Sequence, residues 1–199
     1  MYADKNETEI NVNATIGGFL KLVFTIIRLV LITIFVSLFL YPLIHETGHW
    51  IAAKTLNLRV IEFEVFPSPH ISFDFADTQS GDLVWLSLGS CVIPALLLLV
   101  KTKQYYLFFA KELVLLIWFF SGCESMIKVM IFLFTSRTFA DDAVLVINTY
   151  PDSEVVIMIT LWIQIIFALL GVCISGPIKR TVAFLEKSVS PKEHSPKFV

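Results

Sequence analysis

His45-Glu46-Thr47-Gly48-His49 is the stretch whose residue types and spacing are best suited to chemistry. The pattern is H-E-x-x-H. On a helix, residues four apart share a face, so His45 and His49 can direct both imidazoles at one metal ion. Neutral imidazole is a good zinc ligand, and two His with one carboxylate leave a fourth position open for water. Zinc lowers the pKa of such a water toward neutrality, and Glu46 stands beside it to take the proton. In a soluble helix the same letters arise by chance among solvated polar residues. Here the flanking sequence is almost wholly apolar and the chain has only four His. Two His and a Glu in an apolar segment are costly without a purpose, which favours a metal centre over a hydrogen-bonded structural cluster.

The motif lacks a third ligand of its own. Asp141 and Asp142 precede the apolar run Ala143–Ile147. Paired carboxylates there read as a helix N-terminus, where they cap exposed amides, or as the source of the missing ligand. His70 lies in turn-forming sequence, Pro67-Ser68-Pro69-His70, and reads as a surface loop histidine. Glu124 and Lys128 are four apart and can pair on one helix face. They read as a self-neutralising pair that fixes packing, with support of a polar catalytic cavity as the functional alternative. Cys91, Cys123 and Cys173 lie in separate apolar segments without C-x-x-C spacing, so they suggest neither a disulfide framework nor a thiolate metal site. They read as small buried apolar residues.

The elements that must position these groups are membrane segments. Of 199 residues, 56% are hydrophobic and only 16% charged, with a mean hydropathy of +0.78. Long apolar runs such as Leu29–Leu40 and Leu113–Phe120 indicate an integral, multi-pass membrane protein. A net charge of −2 gives no hint of nucleic-acid binding. The predicted fold is an all-α polytopic helical bundle of four to five membrane segments, with a small β-hairpin after the H-E-x-x-H helix. Residues 1–17 are expected to be a disordered tail, 18–176 the membrane domain, and 177–199 a basic, disordered tail. The predicted spans are about 19–41, 83–100, 113–134 and 154–175. Pro42 interrupts the first, so the metal-binding helix either continues it across a kink or folds back into the membrane. Near-strict alternation on either side of the prolines predicts a hairpin over Leu58–Phe75. It serves as a connector, a membrane-surface flap, or an edge that pairs with an extended peptide.

The order of these features resembles the site-2 protease family of intramembrane zinc metalloproteases, in particular its small, minimal members. The likeness rests on His45, Glu46, Gly48 and His49 followed by Trp50-Ile51-Ala52-Ala53, then a hairpin, further spans, and Asp142-Ala143 ahead of an apolar helix and Pro151. The longer Asn- and Pro-containing motif common around that family's third ligand is absent. The resemblance implies one zinc ion held by His45, His49 and Asp142, with Asp141 as the fallback ligand and Glu46 as the base. It implies hydrolysis of a peptide bond within or next to a transmembrane segment of a membrane-protein substrate. The hairpin would hold the extended segment. The alternative functions are a catalytically silent relative that binds or regulates, or a metal-handling membrane protein. A conduit would spread polar residues along the spans. His45, Glu46, His49, Glu124 and Lys128 are few and favour one site, and an intact Glu46 argues against a silent relative.

Sidedness depends on the first helix. If it is continuous, Lys5, Lys21, Arg28, Lys101, Lys103, Lys111 and the basic tail share one side, against Lys54, Arg59 and Arg137 on the other. The positive-inside rule then places both termini in the cytoplasm. The resemblance instead implies a site opening toward the cytoplasm, which a re-entrant metal-binding helix would reconcile.

Overall fold

The computed structural model describes residues 3–65, 69–73 and 80–189. They belong to two compact units, Thr33–Ser175 and the two chain ends, Met1–Ile32 with Gly176–Val199.

In the larger unit, the helix α1 (Ala3–Phe35) ends and a π-helical turn, Val36–Leu40, leads into α2 (Tyr41–Thr55). Pro42 has no N–H and cannot continue the i→i−4 ladder. The chain widens instead of breaking, with the Tyr41 amide donating to the Val36 carbonyl five residues back. Leu40 and Tyr41 both keep right-handed helical backbone. The metal-binding helix therefore continues the helical path and does not fold back at Pro42.

A two-stranded antiparallel sheet follows, β1 (Val60–Glu64) with β2 (His70–Phe73). Glu62 pairs with Ser72, Phe63 with Ile71 and Glu64 with His70, with an irregularity between Val60 and Glu62. His70 is thus the first residue of a strand, its Nδ1 3.9 Å from the Glu64 carboxylate, not a loop residue. Of the predicted turn Pro67-Ser68-Pro69-His70, residues 67 and 68 lie outside the described residues, as do residues 66 and 74–79, which include the end of the predicted hairpin at Phe75.

Four helices complete the unit: α3 (Ser80–Leu97), α4 (Tyr105–Thr135), the short α5 (Asp142–Thr149) and α6 (Glu154–Ser175). α2 packs on α3 and α4 on α6. Ala52 and Ala53 meet Leu86 in the first contact. Leu115 and Trp118 meet Ala168 in the second, while Val144 and Ile147 of α5 join Val129, Ile157 and Leu161. The outward faces stay apolar, with Phe120, Ile127, Ile159 and Ile166 exposed. Such outward apolar faces are compatible with a lipid surrounding.

Among the described residues, three helical stretches are long and apolar enough to cross a membrane: Ile16–Thr55, Tyr105–Thr135 and Pro151–Lys187. α3 falls short because its apolar part is only Val84–Leu97, about 21 Å at 1.5 Å per residue against a hydrocarbon core of about 30 Å. The described residues thus hold three such stretches where four to five membrane segments were predicted.

In the smaller unit, α1 begins at Ala3 and runs through the stretch read as a disordered tail. Its polar residues carry no Pro or Gly before Gly17, and the apolar helix that follows removes the need for a separate nucleus. The C-terminal tail is likewise helical over α7 (Pro177–Val189). Gly176, at φ +60°, takes the left-handed turn that ends α6, and Pro177 starts α7 at the one position where its missing N–H costs nothing.

Candidate metal centre

His45 and His49 share one face of α2, with Nε2 atoms 3.1 Å apart. Two glycines set where that face sits. A Cβ on Gly48 would overlap the Gly89 carbonyl oxygen, and one on Gly89 would lie 2.6 Å from the Gly48 carbonyl oxygen and 2.8 Å from the Ala52 Cβ. The backbones of α2 and α3 therefore touch at this crossing. The closeness brings the Leu86 carbonyl of α3 to 2.8 Å from His49 Nδ1. A carbonyl only accepts, so the His49 proton sits on Nδ1 and the lone pair on Nε2 faces the site.

The carboxylate arrives from α5. α4 ends on Ser136, at φ 54°, and the chain turns so that extended Asp141 caps α5. Asp141 Oδ1 accepts from the amides of Ala143 at 3.0 Å and Val144 at 3.4 Å. Its Oδ2 accepts from Ser125 Oγ at 2.8 Å and lies 3.7 Å from Lys128 Nζ. With both oxygens occupied, Asp141 is the cap, and Asp142 one residue on turns toward the histidines. Asp142 Oδ2 lies 3.0 Å from His49 Nε2 and 3.6 Å from His45 Nε2. Ligand atoms about 2.0 Å from a tetrahedral zinc stand about 3.3 Å apart. The three separations, 3.0, 3.1 and 3.6 Å, bracket that value. His45, His49 and Asp142 together form a group able to hold a metal ion. The surrounding protein on its own would push the Asp142 carboxyl up. When the imidazoles are protonated, hydrogen bonds from His45 and His49 and the positive charge they then carry outweigh it and hold the group well below the usual carboxylate range.

The triad stands between two cavities. One, of about 300 Å³, is lined by Tyr41, His45, Glu46, Ser90, Asp142 and Gln164. The other, of about 340 Å³, runs along β2 past Ile71 and Phe73, with Glu46, His49 and Asp142 also on its wall. Glu46 and Asp142 face both. The Ile71 backbone amide reaches the Glu46 carboxylate, so the hairpin touches the group next to the metal position. The rest of the wall is held by Gln164, whose amide nitrogen donates to the Trp118 carbonyl at 2.9 Å while its oxygen accepts from Cys91 Sγ at 3.3 Å.

Glu124 and Lys128 stay outside the triad. Lys128 Nζ is 2.7 Å from Glu124 and reaches the site only through Asp141. Sequence reasoning missed Ser125, although Ser121, Ser125 and Lys128 follow the 4-then-3 spacing of one helix face. It missed Gln164, visible as a lone amide in an apolar span. The cysteines differ from the apolar reading: Cys91 hydrogen-bonds in the cavity wall, and Cys173 is exposed. Glu112, just ahead of the predicted span 113–134, is buried in α4, accepting from Ser175 Oγ at 2.6 Å beside Lys111.

The role of Asp141 yields a prediction. Asp141→Ala removes the cap, at a cost of about 0.5–2 kcal/mol, and releases the start of α5 from Ser125. Zinc affinity should fall about 10- to 100-fold, as for other groups that orient a ligand. Asp141→Asn keeps an acceptor for the amides and should recover part of it. Competition with a zinc chelator measures both.

Fold and site together define a helical protein suited to a membrane, with a two-histidine, one-carboxylate constellation at the crossing of two helices. No family model matches the chain, and neither a curated protein nor a solved structure is matched by it.

Proposed function

We propose that the chain is a zinc-dependent intramembrane peptidase that hydrolyses a peptide bond within or next to a transmembrane segment of another membrane protein. The observation that carries this reading is the set of three ligand atoms at zinc-compatible separations, with the Glu46 carboxylate beside them on the wall of both cavities. The resemblance to site-2 proteases points the same way. α3, whose apolar part is short but which reaches about 27 Å over its full 18 residues, is taken as a fourth membrane segment, giving α1 with α2, α3, α4 and α6. The bias of Lys and Arg then places both termini in the cytoplasm.

A zinc ion at His45, His49 and Asp142 would supply an acidified water and polarise a carbonyl. The chain's own residues do the remainder. Glu46 takes the proton from water and returns it to the leaving amine. Leu86 holds His49 in the ligating tautomer through its carbonyl. Asp141 and Ser125 hold Asp142 in place. A substrate helix must unwind before its backbone is open to attack, and β2, which pairs with β1 alone among the described strands, is the strand beside Glu46 along which the extended segment would lie. The Ile71 amide lies where that segment would pass Glu46.

The test is zinc per purified chain for wild type, His49→Ala and Asp142→Ala. About one zinc in wild type, lost in both variants, supports the site. No zinc in a folded, reconstituted wild type overturns the peptidase reading. Retention in Asp142→Ala overturns the third ligand. The wild-type ion should leave as the pH falls, because protons compete with it for the groups that hold it.

A further inference from the structure

The last described helix, α7, carries an arrangement that no peptidase needs. Ile178, Val182 and Leu185 recur at i, i+4 and i+7, inside an arc of about 60° on a 3.6-residue helix. Arg180 and Lys187, seven apart, fall about opposite to that stripe, and Lys179 and Glu186 lie along one flank. Ile178 is 79% exposed and Val182 48%, while Leu185 is partly buried, so the stripe is open at its start and about half covered further along. Lys179, Arg180 and Lys187 are exposed as well.

Chain continuity places the start of this helix. Gly176 alone separates it from α6, an apolar helix that ends at Ser175. Pro177 can begin a helix but cannot extend α6 without breaking its ladder. α6 alone, 22 residues and about 33 Å at 1.5 Å per residue, already matches a hydrocarbon core of about 30 Å, so α7 begins where a span-length helix ends. A helix with three cations against one carboxylate, and an apolar stripe opposite, suits the boundary between acyl chains and phosphate headgroups.

We propose that α7 is an interfacial helix that binds the anionic lipid surface of the membrane. Ile178, Val182 and Leu185 enter the acyl boundary, while Lys179, Arg180 and Lys187 meet headgroup phosphates. The occupant is phospholipid and not a protein, because the tether fixes the helix at a lipid boundary and its two faces match the two layers found there. Polybasic segments next to a span prefer the anionic, cytoplasmic leaflet. The inference holds whether or not the protein is a peptidase.

The test uses the full chain in nanodiscs of phosphatidylcholine alone and of phosphatidylcholine with phosphatidylglycerol. Cys91, Cys123 and Cys173 are replaced by serine and single spin labels are placed from 178 to 187. Relaxation by oxygen relative to a water-soluble nickel complex should rise and fall with a 3.6-residue period. It should be several-fold higher at 178, 182 and 185 than at 179, 180 and 187. Uniform exposure to nickel, or shielding of 178 and 182 from both agents, overturns the proposal, the latter by showing a protein partner. In the unmodified chain, amide exchange across residues 178–187 should slow when phosphatidylglycerol is present. Equal exchange in both bilayers overturns the anionic preference, and the slowing should vanish in Lys179→Glu/Lys187→Glu.

Discussion

Glu46→Gln is expected to keep zinc bound and to abolish peptide cleavage. Gln matches Glu in size and keeps an acceptor for the Ile71 amide, so the helix and the triad stay in place. It cannot take a proton from water or return one to a leaving amine. Loss of a positioned general base costs about 10²- to 10⁴-fold in rate. The expected loss lies toward the upper end, because Glu46 is the only carboxylate other than the ligand Asp142 shared by the walls of both cavities beside the metal position, among the described residues. The measurement pairs metal content with cleavage of a transmembrane reporter in nanodiscs. Cleavage at the wild-type rate with zinc in place would remove Glu46 from the role of base. Loss of zinc together with loss of cleavage would make Glu46 a structural residue. A metal-handling or regulatory protein predicts no cleavage in either form.

The contrast between what the sequence revealed and what it hid follows from which atoms each feature depends on. The pairing of His45 with His49 is local, since four residues along a helix fix it, and it was legible. The division of labour between Asp141 and Asp142 was not. Both suit a helix N-terminus, and the choice turns on Ser125 and Lys128 capturing the first carboxylate from a helix sixteen and thirteen residues away. The partner of His49 is a backbone carbonyl, on Leu86, and backbone atoms leave no mark in a sequence. Gln164 and the 121–125–128 face were marked but were weighed as ordinary polar residues. At the chain ends, charged residues were read as disorder. Their spacing in α7 instead segregates cations from Ile178, Val182 and Leu185, which is the pattern of a helix at a boundary and not of a solvated coil.

Gly48→Ala is the second change expected to have a large effect, although it adds one methyl group and alters no chemistry. The new Cβ would overlap the carbonyl oxygen of Gly89, with the Ser90 Cα 3.0 Å away. A side chain could rotate aside, but a backbone carbonyl inside α3 cannot, so α2 and α3 must separate. Overpacking of this kind costs about 1–3 kcal/mol, toward the upper end where backbone meets backbone. Separation also draws the Leu86 carbonyl from His49 Nδ1 and frees the imidazole to change tautomer or rotate. Zinc affinity should fall a further 10- to 100-fold or so, the range for loss of a group that orients a ligating histidine. Gly89→Ala should do the same from the other side, against the Gly48 carbonyl and the Ala52 Cβ. Gly17→Ala is the control, since a Cβ there meets nothing within 4 Å. Helix propensity alone would make all three substitutions mildly stabilising. Loss of zinc and of thermal stability confined to Gly48→Ala and Gly89→Ala would show that the metal centre is built on the contact between these two backbones. Wild-type behaviour in both would mean that α2 and α3 can part without disturbing His49, and that its orientation is set within α2.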